Sequence, residues 1–253
     1  MIKLDLTLDS LVLMTPVKVQ VLLPSRFDGQ ETPIVYALHP AFADGSIFAE
    51  RLGAGRYVDK LNFALAAPSL GNNYFVNHGV NQIFDFLNDE LPQCLQRIFN
   101  LSKDSSKQHL LGISMGAYGA LHFALQGRHK FAKAALISSV FKHEGYEFKG
   151  SRRVKLIFNL LQPVISDCLY EHGGSLRIDL EQLIGVHAED EFKTRFRLYA
   201  GDMEKIPLQQ SELFISLLRQ SGFEAQLISE EGDHDEDFWS QVLPEALSWI
   251  LAP

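Results

Sequence analysis

The sequence predicts an α/β fold built on a mostly parallel sheet, and two observations predict it. Short apolar segments alternate with amphipathic ones along most of the 253 residues, the order that lays helices over the faces of a parallel sheet. Several strand segments are near-continuous apolar runs, as strands covered on both faces must be. A chain of this length also buries roughly three quarters of the surface that its unfolded form exposes, so a full core needs no staples. No internal repeat, low-complexity tract or linker divides the chain, and one domain over 1–253 is expected.

Residues 3–8 and 17–23 (VKVQVLL) alternate with period two and suit an antiparallel start. PIVYALH at 33–39 and FALAA at 63–67 are the first continuous apolar runs. Between 80 and 99, Ile83, Phe84, Phe86, Leu87, Leu91, Leu95 and Ile98 mark one helical face. Pro92 is expected to kink that helix or divide it, because its ring removes an N–H and crowds the preceding turn. A strand at 108–113, a helix at 115–126 and a strand at 133–138 follow. The rhythm resumes with strand 195–200, helix 208–221, strand 224–229 and helix 237–250. In between, 142–192 breaks it, with an amphipathic stretch at 154–165 (VKLIFNLLQPVI) and a Gly-Gly turn at 173–174. Two readings stay open for this insertion: a small cap over the sheet's edge, or a crossover helix with a surface loop.

Apolar residues make up 46% and charged residues 21% of the chain, the balance of a folded protein, which excludes disorder and collagen-like repeats. The net charge of -8 repels phosphate backbones and anionic lipid, so neither nucleic acid nor a membrane surface is an expected partner. The one dense basic group, Lys149, Arg152, Arg153 and Lys155, is too short for a footprint and reads as a solvated helix end. Cys94 and Cys168, the two cysteines, match no metal or redox spacing and are expected as buried thiols. The first nine residues alternate like a strand and lack the unbroken apolar stretch of a signal peptide. No run reaches the ~18 apolar residues of a transmembrane helix, so a cytoplasmic protein is expected.

The strongest chemical signal is QHLLGISMGAYGAL at 108–121. An apolar strand runs through Gly112-Ile113-Ser114-Met115-Gly116 into a small-residue helix, which is a G-x-S-x-G turn in the strand–turn–helix setting that lifts a serine hydroxyl above a sheet. The glycines are required where the tight turn brings backbone too close for a Cβ. The helix N-terminus and the Met115 N–H would face an oxyanion forming beside Ser114. The competing reading is a glycine-rich packing turn with an incidental serine.

A serine on such a turn takes its acid and then its histidine from later in the chain. Of nine histidines, only His234 lies beyond the strand at 195–200, in EEGDHDEDFWS between the last strand and the last helix. Six carboxylates crowd 230–237. They lack the spaced ligands and glycine of a calcium loop, so they read as the acidic first turn of a helix and no metal is expected. The acid should follow strand 195–200, where Asp202 and Glu204 compete in YAGDMEKIP. Glu204 is favoured because it stands further along the loop toward His234, with Asp202 as the alternative and the unchosen one a loop-capping acid. The second oxyanion N–H should come from HPAFADG at 39–45; Pro40 has none to give, which leaves Ala41. His39 precedes the acid and is read as a loop-fixing residue. Tyr74 and Phe75 are candidates to line a substrate pocket, or simply to pack, with Tyr74 the one retained as substrate-binding.

ALHPAF at 37–42, FLNDELP at 86–92, GISMGAYGAL at 112–121 and the Gly232-x-His234 followed by Phe238-Trp239 together resemble the Putative esterase family of α/β-hydrolases, which includes esterase D (S-formylglutathione hydrolase) and tributyrin esterases. The resemblance implies the α/β-hydrolase fold, with helices on both faces of the sheet, to which residues 142–192 would add a small cap-like insertion. It also implies hydrolysis of short-chain acyl esters without a cofactor, with Ser114 as nucleophile and His234 as base. Three departures stand out: His39-Pro40 where the family usually has His-Gly, Glu204 where it usually has Asp, and a poor match over 142–192. The expected partner is a small-molecule ester, with self-association into a homo-oligomer left open. An S-formylglutathione-type thioesterase, an acetyl or feruloyl carbohydrate esterase, and a catalytically silent binding protein on the same fold remain as alternatives.

Overall fold

The computed structural model describes residues 1–142, 152–171 and 176–252, without the side chains of 152–158. Its centre is an eight-stranded sheet. The strands are β1 (Ile2–Ser10), β2 (Thr15–Leu23), β3 (Ile34–Leu38), β4 (Ala64–Ser69), β5 (Gln108–Ile113), β6 (Lys133–Ile137), β7 (Arg195–Gly201) and β8 (Ala225–Glu230). They lie in the order β1-β2-β4-β3-β5-β6-β7-β8. The first two, with their period-two alternation, form the expected antiparallel hairpin, and β2 joins β4 antiparallel. Every other pairing within this sheet is parallel.

Consecutive residues of the inner strands feed two separate cores. Tyr36, Ala66, Leu110, Leu136 and Leu198 point into one cluster, and Val35, Leu65, Leu111, Ile137 and Tyr199 into the other. That is why β3, β5 and β6 are buried at every position and read as continuous apolar runs. One face is covered by α1 (Gly55–Leu61) and the last helix, Glu236–Leu251. The other carries α2 (Leu91–Phe99), α3 (Met115–Gln126) and the helix Lys205–Gln220.

Local chemistry sets the element boundaries. The expected helix over 80–99 is divided: Ile83–Asp85 is α-helical, Phe86–Glu90 is a π turn and α2 follows. Pro92 near the start of α2 is the cause, since it cannot donate back along an α ladder. The wider turn closed by the Leu91 N–H on the Phe86 carbonyl absorbs the missing bond. The helix expected from 208 begins at Lys205, because Pro207 falls in its first turn, where N–H groups have no intrahelical partner to lose.

Within the insertion, α4 (Arg152–Leu169) is longer than the amphipathic 154–165 stretch, and α5 (Leu180–Val186) follows. Ile165, Cys168, Leu169, Leu180 and Ile184 join the core cluster that holds Met115, Tyr118 and Tyr74. The Gly173-Gly174 turn and Lys149 lie outside the described residues, as do the side chains of Arg152, Arg153 and Lys155. Both thiols are free; Cys168 is buried as expected, whereas Cys94 on α2 is only half-buried. Among the described residues no helix is long and apolar enough to cross a membrane. The last two helices of the chain are α6 (Lys205–Gln220) and α7 (Glu236–Leu251).

Candidate active site

The chemistry-bearing segments all leave the sheet at one edge, and strand register explains why. Leu38 stands opposite Gly112, Ile113 opposite Ile137, Ile137 opposite Tyr199 and Gly201 opposite Glu230. Because β3 and β5 to β8 are parallel, their C-terminal ends are in line. The residues that follow them, His39 to Ala41, Ser114, Ser138, Asp202 to Glu204 and Glu231 to His234, emerge side by side.

Ser114 extends the ladder by one bond, its N–H donating to the Ile137 carbonyl at 2.8 Å. It then turns with φ 53 and ψ −114, a conformation a side-chain-bearing residue adopts only when its surroundings impose it. Close packing imposes it here. A Cβ on Gly112 would stand 2.2 Å from the Gly116 carbonyl oxygen, and one on Gly116 would stand 2.0 Å from that of Leu38. Helix α3 therefore starts flush against the end of β3, with the serine lifted from the turn. Its first N–H groups, Met115 included, have no intrahelical acceptor.

His234 sits between β8 and α7. Asp235 caps α7 by accepting the Phe238 N–H at 3.0 Å, and the Asp233 carboxylate accepts the N–H of His234 itself at 2.8 Å. The imidazole Nε2 lies 2.9 Å from Ser114 Oγ, and Nδ1 lies 2.6 Å from Glu204 Oε1. A carboxylate can only accept, so Nδ1 carries the hydrogen and Nε2 is left to accept the Ser114 hydroxyl. Trp239 stands edge-on to the same ring, 5.4 Å between centroids at 86°.

Glu204 is 3% exposed, and a buried carboxylate must be hydrogen-bonded. Its second oxygen, Oε2, accepts the Gly201 N–H at 2.6 Å and the Ser138 hydroxyl at 2.9 Å. Asp202 is exposed and accepts the Gly232 N–H at 3.1 Å, bracing one loop on the other. Thus it is Glu204, not Asp202, that reaches His234. Of the other carboxylates of this loop, Glu236 pairs with Arg51 at 2.7 Å and Glu230 accepts from Gln241 at 3.1 Å. Among the described residues, no group of three or more His, Cys, Asp or Glu side chains is arranged to hold a metal ion.

The loop after β3 is tied on both sides of Ala41. His39 is buried; its Nε2 accepts the Leu70 N–H at 3.2 Å and its Nδ1–H donates to the Pro40 carbonyl at 2.8 Å. Burial holds its pKa below the ordinary histidine value, so the ring works as a neutral brace. On the other side the Phe42 N–H donates to Asn72 Oδ1 at 2.8 Å, with Phe42 at φ 60. Phe42 and Met203 are exposed apolar side chains flanking Ala41 and Glu204 in sequence. Tyr74 is 3% exposed and packs edge-on against Tyr118, 5.5 Å between centroids. Its ring lies in the core beside α3. Phe75 is likewise buried, against His39.

Sequence reasoning missed Ser138, Trp239 and the Gly201 N–H as partners of this group. Ser138 carried one readable signal, a polar residue at the C-terminal end of an apolar parallel strand. Trp239 was noticed only as part of a motif.

Residues 10–250 match the family described as Putative esterase. An acetyl esterase of Caldicellulosiruptor saccharolyticus is 23% identical over 241 residues, covering 88% of this chain and 85% of its own. Among solved structures, the substrate-bound fluorophosphonate-binding serine hydrolase FphF of Staphylococcus aureus is similar with a TM-score of 0.81 and 23% identity, covering 100% of this chain and 99% of that one. The S-formylglutathione hydrolase FrmB of Staphylococcus aureus, in its apo form, has a TM-score of 0.75 and 20% identity, covering 99% and 96%. These likenesses show the α/β-hydrolase fold.

Proposed function

The chain belongs to the Putative esterase family and is a carboxylic ester hydrolase; from that premise we propose that it hydrolyses short-chain acyl esters through a serine acyl-enzyme. One observation carries the proposal: the unbroken hydrogen-bond chain from Ser114 Oγ through both imidazole nitrogens of His234 to Glu204. In this reading Ser114 Oγ attacks the ester carbonyl carbon as His234 Nε2 takes its proton. Glu204 stabilises the imidazolium and holds its tautomer. The N–H groups of Met115 and Ala41 receive the oxyanion, and losing one such donor costs about 100- to 1000-fold in kcat. Collapse breaks the bond to the alkoxide, which leaves with the proton from His234. Water then attacks the acyl-serine, giving its proton to His234, and the acid departs as Ser114 is restored.

The exposed Phe42 and Met203 beside the loops that carry Ala41 and Glu204 supply apolar surface for the substrate's acyl or alcohol part. Tyr74, buried against Tyr118, is a packed support rather than a contact surface. A short acyl group is consistent with the acetyl esterase relative. The same geometry serves thioesters, and the likeness to an S-formylglutathione hydrolase supports measuring that substrate as the second candidate.

Hydrolysis of p-nitrophenyl acetate, butyrate and octanoate by wild type and Ser114→Ala tests the proposal, with S-formylglutathione assayed in parallel. Wild type should turn over the short esters fastest and react with a fluorophosphonate, and Ser114→Ala should do neither. Equal activity in both proteins would remove Ser114 as nucleophile. Octanoate turned over faster than acetate would reject the short acyl group.

A further inference from the structure

Ser138 is the first residue beyond β6, as Ser114 is the first beyond β5, and both stand at φ 53. Glycine adopts that conformation without the Cβ clash that penalises other residues. A serine there calls for an explanation in its hydroxyl. The side chain is completely buried, so that hydroxyl must find its partners inside the protein.

It finds two. Ser138 Oγ accepts the indole Nε1–H of Trp239 at 2.9 Å and donates to Glu204 Oε2 at 2.9 Å. An indole N–H only donates and a carboxylate only accepts, so the serine hydrogen is directed at Glu204 and its rotor is fixed. With the Gly201 N–H on the same oxygen at 2.6 Å, the carboxylate is held so that its other oxygen faces His234. Trp239 therefore reaches both partners of the His234–Glu204 hydrogen bond: the acid through Ser138, and the base through a T-shaped ring contact.

We infer that Ser138 and Trp239 are positioning residues of the ester hydrolysis, a relay from Trp239 through Ser138 that orients Glu204 and so fixes the tautomer of His234. The inference rests on the Ser114–His234–Glu204 reading above. Orientation of the carboxylate matters most once His234 has taken the Ser114 proton. Loss of the relay therefore falls on kcat and spares KM.

The test uses the full chain with p-nitrophenyl acetate and compares wild type, Ser138→Ala, Ser138→Gly, Trp239→Phe and the Ser138→Ala/Trp239→Phe double variant, with Ser114→Ala as reference. Ser138→Gly removes the hydroxyl while suiting the backbone, and Phe at 239 keeps the ring edge but not the N–H. Both Ser138 variants should lose about tenfold in kcat with KM within about twofold, and Trp239→Phe should lose a few-fold. The double variant should be no slower than Ser138→Ala, because Trp239 acts through Ser138. The far-downfield proton resonance of the His234 Nδ1–H should move upfield in the Ser138 variants while circular dichroism stays as in wild type. Wild-type kcat in both Ser138 variants beside an inactive Ser114→Ala would overturn the relay alone, and so would an additive loss in the double variant. An active Ser114→Ala would instead remove the triad reading, and the relay with it.

Discussion

Two acids stand two positions apart after β7, and their environments separate them. Glu204 is buried, with one oxygen on the imidazole and the other held by two donors, whereas Asp202 is exposed and braces a backbone N–H. Glu204→Gln should therefore lower kcat by about 1000- to 10,000-fold with the fold intact, since an amide next to Nδ1 favours the wrong tautomer. Asp202→Asn keeps an acceptor for the Gly232 N–H and should stay within about threefold of wild type. Steady-state kinetics on both variants decides it; the reverse pattern would make Asp202 the acid. From sequence, Glu204 could be preferred only on its spacing after Gly201, which set it further along the loop, and on its match to the family's acid position. What separates the two is burial and donor geometry, which arise when the 138, 201 and 234 segments meet.

At the scale of elements, the turn around Ser114 is a packing solution between β3, β5 and α3. The strand 108–113 and the helix 115–126 were legible to the residue, because apolar run, glycines and small-residue helix all lie within one short segment. The π turn before Pro92 was legible only as a disruption, since proline forbids one bond without saying how the chain makes up for it. Gly116→Ala tests the contact directly: the added Cβ would meet the Leu38 carbonyl oxygen at 2.0 Å. Backbone on both sides leaves little room to give. Urea unfolding should show a loss of about 3 kcal/mol or more, with esterase activity per folded molecule reduced as well. An unchanged midpoint would mean that α3 can slide off β3, and the strained serine would need another cause.

For the molecule as a whole, two buried histidines outside the candidate site couple stability to pH. His122 is buried on α3, stacked on Phe84, and burial pushes its pKa down to about 4. His109 on β5 is pushed down to about 3 by burial and by the nearby Lys133 and Arg195. Both stay neutral in the folded protein while the unfolded chain takes up protons below the ordinary value of about 6.5. The unfolded state thus binds more protons from there down to the folded values, and stability falls as pH falls. Each histidine contributes on the order of 1 kcal/mol per pH unit within its window. Urea midpoints at pH 7, 6 and 5 should decline accordingly, and His122→Gln should flatten the slope by the share of one proton. A slope unchanged by that variant would mean that His122 titrates normally in the fold.

What was legible in the amino-acid sequence depends on near neighbours: alternation in the first two strands, continuous apolar runs in the buried ones and the glycine-framed serine. These are written in short segments because helix and strand periodicity and turn sterics act over a few residues. The tertiary structure adds how the side chains of the site meet, and that Ser138 and Trp239 join them. Ser114 and His234 are 120 positions apart, Ser138 and Trp239 101, Ser138 and Glu204 66. The parallel register of five strands brings those distant positions to one edge, and no local pattern encodes that register.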